Sequence, residues 1–131
     1  MTSPIGLSVL IVDDNEIIRS LLRIIIQGTD YTVVGEAGTA QIAKERVLAL
    51  RPDVICLDLM MPDSDNLDLL DWIVVNLPNC IVLIISGRHD RETVETVLRH
   101  GAKGFIVKPF NPGTVLDTLR MATRKYRNAK P

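Results

Sequence analysis

No apolar run in this sequence reaches membrane-spanning length, and Met1-Thr2-Ser3-Pro4 lacks the basic-then-apolar pattern of a secretory signal. A cytoplasmic protein off the membrane is the expectation. Excess charge is also missing: 15 Lys and Arg against 16 Asp and Glu leave −1, so nothing overall draws the chain toward nucleic acid. Two cysteines, Cys56 and Cys80, fit neither a metal spacing nor a CxxC motif. With Asp58 and Ser86 ending neighbouring strands side by side, the thiols sit about four residues apart along the strands. At roughly 3.3 Å per residue that is on the order of 13 Å, too far for a disulfide, so both are read as small buried thiols. Aromatics are scarce at 4%, but 47% apolar and 24% charged residues make a globular composition, neither disordered nor fibrous. The 131 residues suffice for one core and fall short of two ordinary domains.

Five apolar, β-branched runs alternate with five helical patterns. The predicted strands are Val9–Asp13, Thr32–Ala37, Val54–Asp58, Ile81–Ser86 and Gly104–Lys108. They are mostly continuous rather than alternating, which suits a parallel sheet covered on both faces; Thr32–Ala37, the least apolar, belongs at an edge. Ile17, Ile18, Leu21, Leu22 and Ile25 form a helical stripe after Asp14-Asn15, a cap signal. Ile42, Ala43, Val47 and Leu50 mark a second helix before Pro52. Leu67, Leu70, Trp72, Ile73 and Leu77 mark a third before Pro78. Val94, Val97 and Leu98 give a fourth, closed by Gly101. Asn111-Pro112 opens a fifth, running through Val115, Leu116, Leu119, Ala122 and Tyr126. Strict alternation implies right-handed crossovers and an α/β three-layer sandwich.

Ligands of such sheets bind beyond the carboxyl ends of the strands. The first strand delivers Asp13 and Asp14 there, the third Asp58, the fourth Ser86 and the fifth Lys108. Three carboxylates at close range repel one another, and a divalent cation such as magnesium relieves the repulsion. Lys108 supplies a positive charge to pair with Asp58, and Ser86 a hydroxyl donor. This set is what phosphoryl transfer to a carboxylate asks for: Asp58 as nucleophile, with the cation and Lys108 neutralising the equatorial oxygens. An ionised carboxylate has no proton to lose, so His89 and His100 are not needed and are read as surface residues. One Asp ending a strand is an ordinary turn residue, but five such positions on four strand ends form a specific constellation.

Over nearly its whole length the chain resembles a response-regulator receiver domain. The segments that carry the resemblance are VLIVDDNEIIRSLL at Val9–Leu22, DVICLDLMMPDSDNLDLL at Asp53–Leu70, IVLIISG at Ile81–Gly87 and GAKGFIVKPF at Gly101–Phe110. The resemblance implies a flavodoxin-like (βα)5 fold with strand order 2-1-3-4-5, a receiver domain over residues 5–127, a tail at 128–131 and no output domain. It implies a stand-alone regulator, not an enzyme, phosphorylated on Asp58 by a histidine kinase or histidine phosphotransfer protein. Intrinsic self-phosphorylation from small donors and self-dephosphorylation also belong to that reading. Asp13, Asp14, Asp58 and the backbone carbonyl of Met60 match the magnesium ligands (manganese being a substitute), and Ser86 and Lys108 the phosphoryl-binding pair. Phe105 matches a switch aromatic, and Lys108–Pro109 is expected to be cis. A downstream protein would read the face of helix 4, strand 5 and helix 5, with no nucleic acid, no membrane and a monomer as the default. Asn15, Ile18 and the loop after Pro109 would meet the phosphodonor.

Asn66 stands where this family commonly has glycine, and asparagine tolerates a left-handed turn there. Met60 and Arg88, two residues beyond Asp58 and Ser86, should flank the water that hydrolyses the acyl phosphate. Asp65 and Asp68 are read as helix-start residues, not as an extended metal site. Arg120, Arg124, Lys125, Arg127 and Lys130 complement a negative helix end. Two other function classes are weighed. A magnesium-dependent phosphohydrolase usually has a second acid two residues after its nucleophile, where this chain has Met60. A pseudo-receiver that works without phosphate would not need Asp13, Asp14, Asp58, Ser86 and Lys108 intact.

Overall fold

A computed structural model describes residues 6–62 and 66–129, with side chains of the last helix described as far as Arg124. The elements, in chain order, are β1 Leu7–Val12, α1 Glu16–Ile26, β2 Tyr31–Ala37, α2 Ala40–Leu50, β3 Val54–Asp58, α3 Asn66–Asn76, β4 Ile81–Ser86, α4 Arg91–Arg99, β5 Gly104–Val107 and α5 Pro112–Ala129. All strands pair in parallel, in the order β2-β1-β3-β4-β5. The fold is thus the flavodoxin-like three-layer sandwich expected from the sequence, with β2 at an edge.

Each boundary has a local cause. Asn15, Thr39 and Asp90 accept backbone N–H bonds at the starts of α1, α2 and α4, and Asn111 Oδ1 accepts the Thr114 N–H at the start of α5. Arg51 ends α2 in the left-handed region at φ 45°, and Gly101 follows α4 at φ 112°, where a side chain would also strike Val74. β3 and β4 are buried throughout and β1 nearly so, because helices cover both sheet faces. One face packs Leu10, Val12, Ile55, Leu57 and Ile84 against α2, α3 and Val97 of α4. The other packs Val9, Ile11, Cys56, Leu83 and Ile106 against α1 and α5.

Several expectations need correcting. Asp58 lies opposite Ile85, not Ser86, so Cys80 is offset from Cys56 by three residues rather than four. Both thiols are free as expected, and burial pushes each up to about 12. In α1 the buried side chains are Leu22 and Ile26, with Ile18 and Ile25 packed beside them; Ile17 and Leu21 face outward. Ile42 and Leu50 of α2 and Leu98 of α4 are likewise exposed, whereas Leu69 of α3 is buried. α1 and α2 have more apolar residues than their contact faces cover, so the pattern alone left the buried face ambiguous there. His100 is half-buried, its Nδ1 2.7 Å from Asp71 Oδ1 across α3 and α4. Ile5, Asp65 and Lys130 lie outside the described residues, as do the side chains of Lys125, Tyr126 and Arg127; the α5 backbone runs on to Ala129.

Ile55→Ala, in the middle of β3, is expected to lower unfolding stability by roughly 3 to 4 kcal/mol in urea titrations. Val75→Ala, 78% exposed on α3, should stay within about 0.5 kcal/mol. Equal losses at the two positions would contradict the placement of the core.

Candidate functional site

The strand order reverses between β1 and β3, since the chain steps outward to β2 and then back across β1. The crevice at that reversal, beyond the strand ends, is where the acidic residues gather. Asp13 and Asp14 follow the last residue of β1, Asp58 is the last of β3, Ser86 the last of β4, and Lys108 follows β5. Strand length does the positioning: each polar side chain falls at the end of its strand or just past it.

Asp13, Asp58 and Ser86 are buried, while Asp14 is exposed. Carboxylate oxygens of Asp13, Asp14 and Asp58 lie within 4.8 Å of one another. Lys108 Nζ is 3.1 Å from Asp13 Oδ2 and 3.5 Å from Asp58 Oδ1, so the ammonium bridges two carboxylates and sits nearer Asp13 than the expected Asp58. The remaining lone pairs are partly met by backbone: Asn15 N–H donates to Asp13 Oδ1 at 2.9 Å, and Met60 N–H to Asp58 Oδ1 at 3.0 Å. Ser86 Oγ accepts the Arg88 N–H at 2.9 Å, which leaves its hydroxyl hydrogen to donate elsewhere. Lys108 N–H donates to the Ser86 carbonyl at 2.9 Å, tying the ends of β4 and β5 together.

One ammonium among three carboxylates leaves uncompensated negative charge. Burial is the largest cause that pushes the Asp58 carboxyl up to about 6; the Asp13 and Asp14 charges push the same way, and the Met60 N–H and Lys108 pull it down. A closely spaced, all-oxygen, net-negative cluster fits a hard divalent cation such as magnesium, which would restore Asp58 to its ionised form.

Around this centre lie residues whose place the sequence did not give. Arg19 of α1 donates to the Asp13 carbonyl at 2.6 Å and pairs with Glu36 of β2 at 3.2 Å, holding the end of β1 from behind. Asn66 is not in a left-handed turn; it is the first residue of α3, buried, and its side-chain amide donates to the Asp58 carbonyl. No spacing rule marks either residue. Phe105 lies opposite Ile84 on β5, half-buried against the cluster that includes Val97 of α4. Met60 and Arg88 flank a cleft of about 240 Å³ with Leu67, Glu92 and Thr96, and Met60 is 59% exposed. Asp68 lies in the first turn of α3, as expected. The Lys108–Pro109 peptide is cis. His89 is exposed. Arg120 and Arg124 are exposed on α5, Arg120 lying 3.9 Å from Asp117.

The family model for the response regulator receiver domain matches residues 9–120. The chain is 35% identical over 119 residues to the chemotaxis protein CheY of Thermotoga maritima, covering 91% of this chain and 99% of that protein. It is 33% identical over 116 residues to the nitrate/nitrite response regulator NarL of Escherichia coli K12, covering 88% of this chain but 54% of that one. Among solved structures, the receiver domain of the response regulator AraT from Geobacillus stearothermophilus superposes with a TM-score of 0.84 at 31% identity. That match covers 93% of this chain and 96% of the other. Among the described residues, no helix is long and apolar enough to cross a membrane.

The raised Asp58 value has a sign that can be tested. Its folded form holds a proton more tightly than the unfolded chain, so any contribution to stability is fully present below the ordinary carboxyl value of 3.8 and is lost as pH climbs through about 6. In metal-free urea titrations, Asp58→Asn should match the parent near pH ~4 and exceed it by about 1 kcal/mol at pH ~8, discounted for partial solvent screening. A parent that gains stability on the variant across that window would contradict the buried, repelled carboxylate.

Proposed function

The chain belongs to the response regulator receiver domain family of two-component signalling, and we propose that it is a phosphoacceptor that signals through phosphorylation-dependent protein contacts. The observation that carries this is the meeting of Asp13, Asp14, Asp58 and Lys108 at one strand-end crevice. An Asp58 carboxylate oxygen would form the new P–O bond while the donor's P–N bond breaks, its electron pair returning to the imidazole of a histidine kinase or phosphotransfer protein. Asp13, Asp14, Asp58 and the Met60 carbonyl would hold magnesium, or manganese in its place. When bound, that ion supplies charge neutralisation for the phosphoryl oxygens. Lys108, released from Asp13, takes one phosphoryl oxygen, and the Ser86 hydroxyl donates to another.

Ser86 and Phe105 supply the switch. The Lys108–Ser86 backbone bond and the Phe105–Ile84 register couple the hydroxyl's strand end to the aromatic, so closure of Ser86 on phosphate repacks Phe105. The face formed by α4, β5 and α5 then presents a changed surface to a downstream protein. The phosphodonor would dock on α1, where Ile17, Leu21 and Ile24 are 74%, 44% and 64% exposed at helical spacing beside the acidic crevice. Met60 and Arg88, flanking the cleft next to Asp58, govern water's access and hence phosphoryl lifetime. The name of the CheY relative offers chemotaxis as one setting for such a cycle in the cytoplasm. The Met60 position, carrying no acid, supports an acceptor over a phosphomonoester hydrolase.

Incubation with acetyl phosphate and magnesium is expected to add one phosphoryl group, stable in acid and labile in base, detected by intact-protein mass. Asp58→Asn should abolish it without unfolding the protein. An adduct that survives in Asp58→Asn would overturn the assignment, and steady turnover of phosphomonoesters would move the chain to the hydrolases.

A further inference from the structure

We infer that Asn66 is a positioning residue for the phosphoacceptor: its buried side-chain amide latches the start of α3 onto the main-chain carbonyl of Asp58. This rests on the reading of Asp58 as acceptor. Among the described residues, the buried polar or charged ones are Asp13, Asp58, Asn66, Ser86 and Thr123. Four of those five stand at the strand-end crevice, so Asn66 belongs to the site and not to the general core. At 2% exposure its amide is stable only while bonded, and its side-chain nitrogen donates to the Asp58 backbone.

The consequence is a loop closed at two points. Asn66 donates to the Asp58 carbonyl, and Met60 N–H donates to the carboxylate Oδ1 of the same residue. The first contact fixes where α3 begins relative to the end of β3. The second depends on the path that the intervening backbone takes as it leaves Asp58. Leu59 N–H, bonded to the Ile85 carbonyl at 3.1 Å, holds the strand side of the loop in register with β4. With the latch in place, the peptide plane after Asp58 and the Met60 N–H are aimed at the carboxylate before any donor arrives. A glycine at this position would leave the carbonyl without that donor. An aspartate of the same shape would set an acceptor against an acceptor.

Amide hydrogen exchange and phosphorylation rate, measured on the full chain, test this together. Asn66→Ala and the milder Asn66→Ser should exchange the Met60 amide about tenfold faster than the parent, the size of effect of one lost buried hydrogen bond. Amides within β3, such as Ile55 and Cys56, should keep their parental protection. An unchanged Met60 rate, or equal acceleration throughout β3, overturns the latch, the latter by showing a general loss of stability. Asn66→Asp should take phosphoryl groups from acetyl phosphate at least about tenfold more slowly at saturating magnesium. A parental rate in Asn66→Asp overturns the positioning role. If the parent itself accepts no phosphoryl group, the acceptor reading fails instead, and Met60 exchange still decides the latch.

Discussion

Like-charge repulsion among carboxylates at the end of a parallel sheet is the constraint on which the rest of this molecule depends. A βα sandwich delivers the ends of several strands to one edge, and here it delivers Asp13, Asp14 and Asp58 within 4.8 Å of each other. Lys108 relieves part of that repulsion by bridging Asp13 and Asp58. Backbone N–H groups of Asn15 and Met60 relieve a little more. The Asp58 carboxyl is pushed up to about 6, chiefly by its burial, and the Asp13 and Asp14 charges add to that shift. The site is thus built at some cost to the metal-free fold, a cost that the proposed cation would relieve. Crowded charge of this kind marks a functional site more often than a structural one.

The scaffold meets that strain with rigidity on three sides. Behind β1, Arg19 ties the Asp13 carbonyl to Glu36 of β2. Beside β3, Asn66 holds the Asp58 carbonyl. Between β4 and β5, the Lys108 amide grips the Ser86 carbonyl. In the proposed cycle the charged groups change partners while the strand ends stay fixed, which is the condition the proposed Ser86–Phe105 switch requires. Helix α1 adds a surface to this arrangement. Its outward apolar residues Ile17, Leu21 and Ile24 follow the exposed Asp14 and Asn15 along the helix.

Much of this was legible in the sequence, because strand ends and residue chemistry are local properties. The five strands were read to within two residues at either end, and β3 and β4 without error. The five site positions followed from asking what each strand delivers. Strand order came from family resemblance, since periodicity carries no information about which strands are neighbours. Register was beyond reach for the same reason, and the Asp58–Ile85 pairing differs by one residue from the assumed one. Helix α1 keeps Glu16, Arg19, Ser20 and Arg23 on one side, but the apolar arc of Ile17, Ile18, Leu21, Leu22, Ile24, Ile25 and Ile26 is wider than the face that packs, so the pattern does not single out Leu22 and Ile26. Asn66 was read through backbone conformation, but its side chain decides its role. His100 was read as an ordinary surface residue because its partner Asp71 lies on a different helix.

Magnesium-dependent thermal stability tests the central claim most directly. If carboxylate repulsion is what the cation relieves, magnesium should raise the melting temperature of the parent in a saturable way, by linkage between binding and folding. The rise should shrink sharply in Asp13→Asn, which removes one charge but retains the side chain's shape. A melting temperature indifferent to magnesium, or an equal rise in parent and variant, would contradict the account.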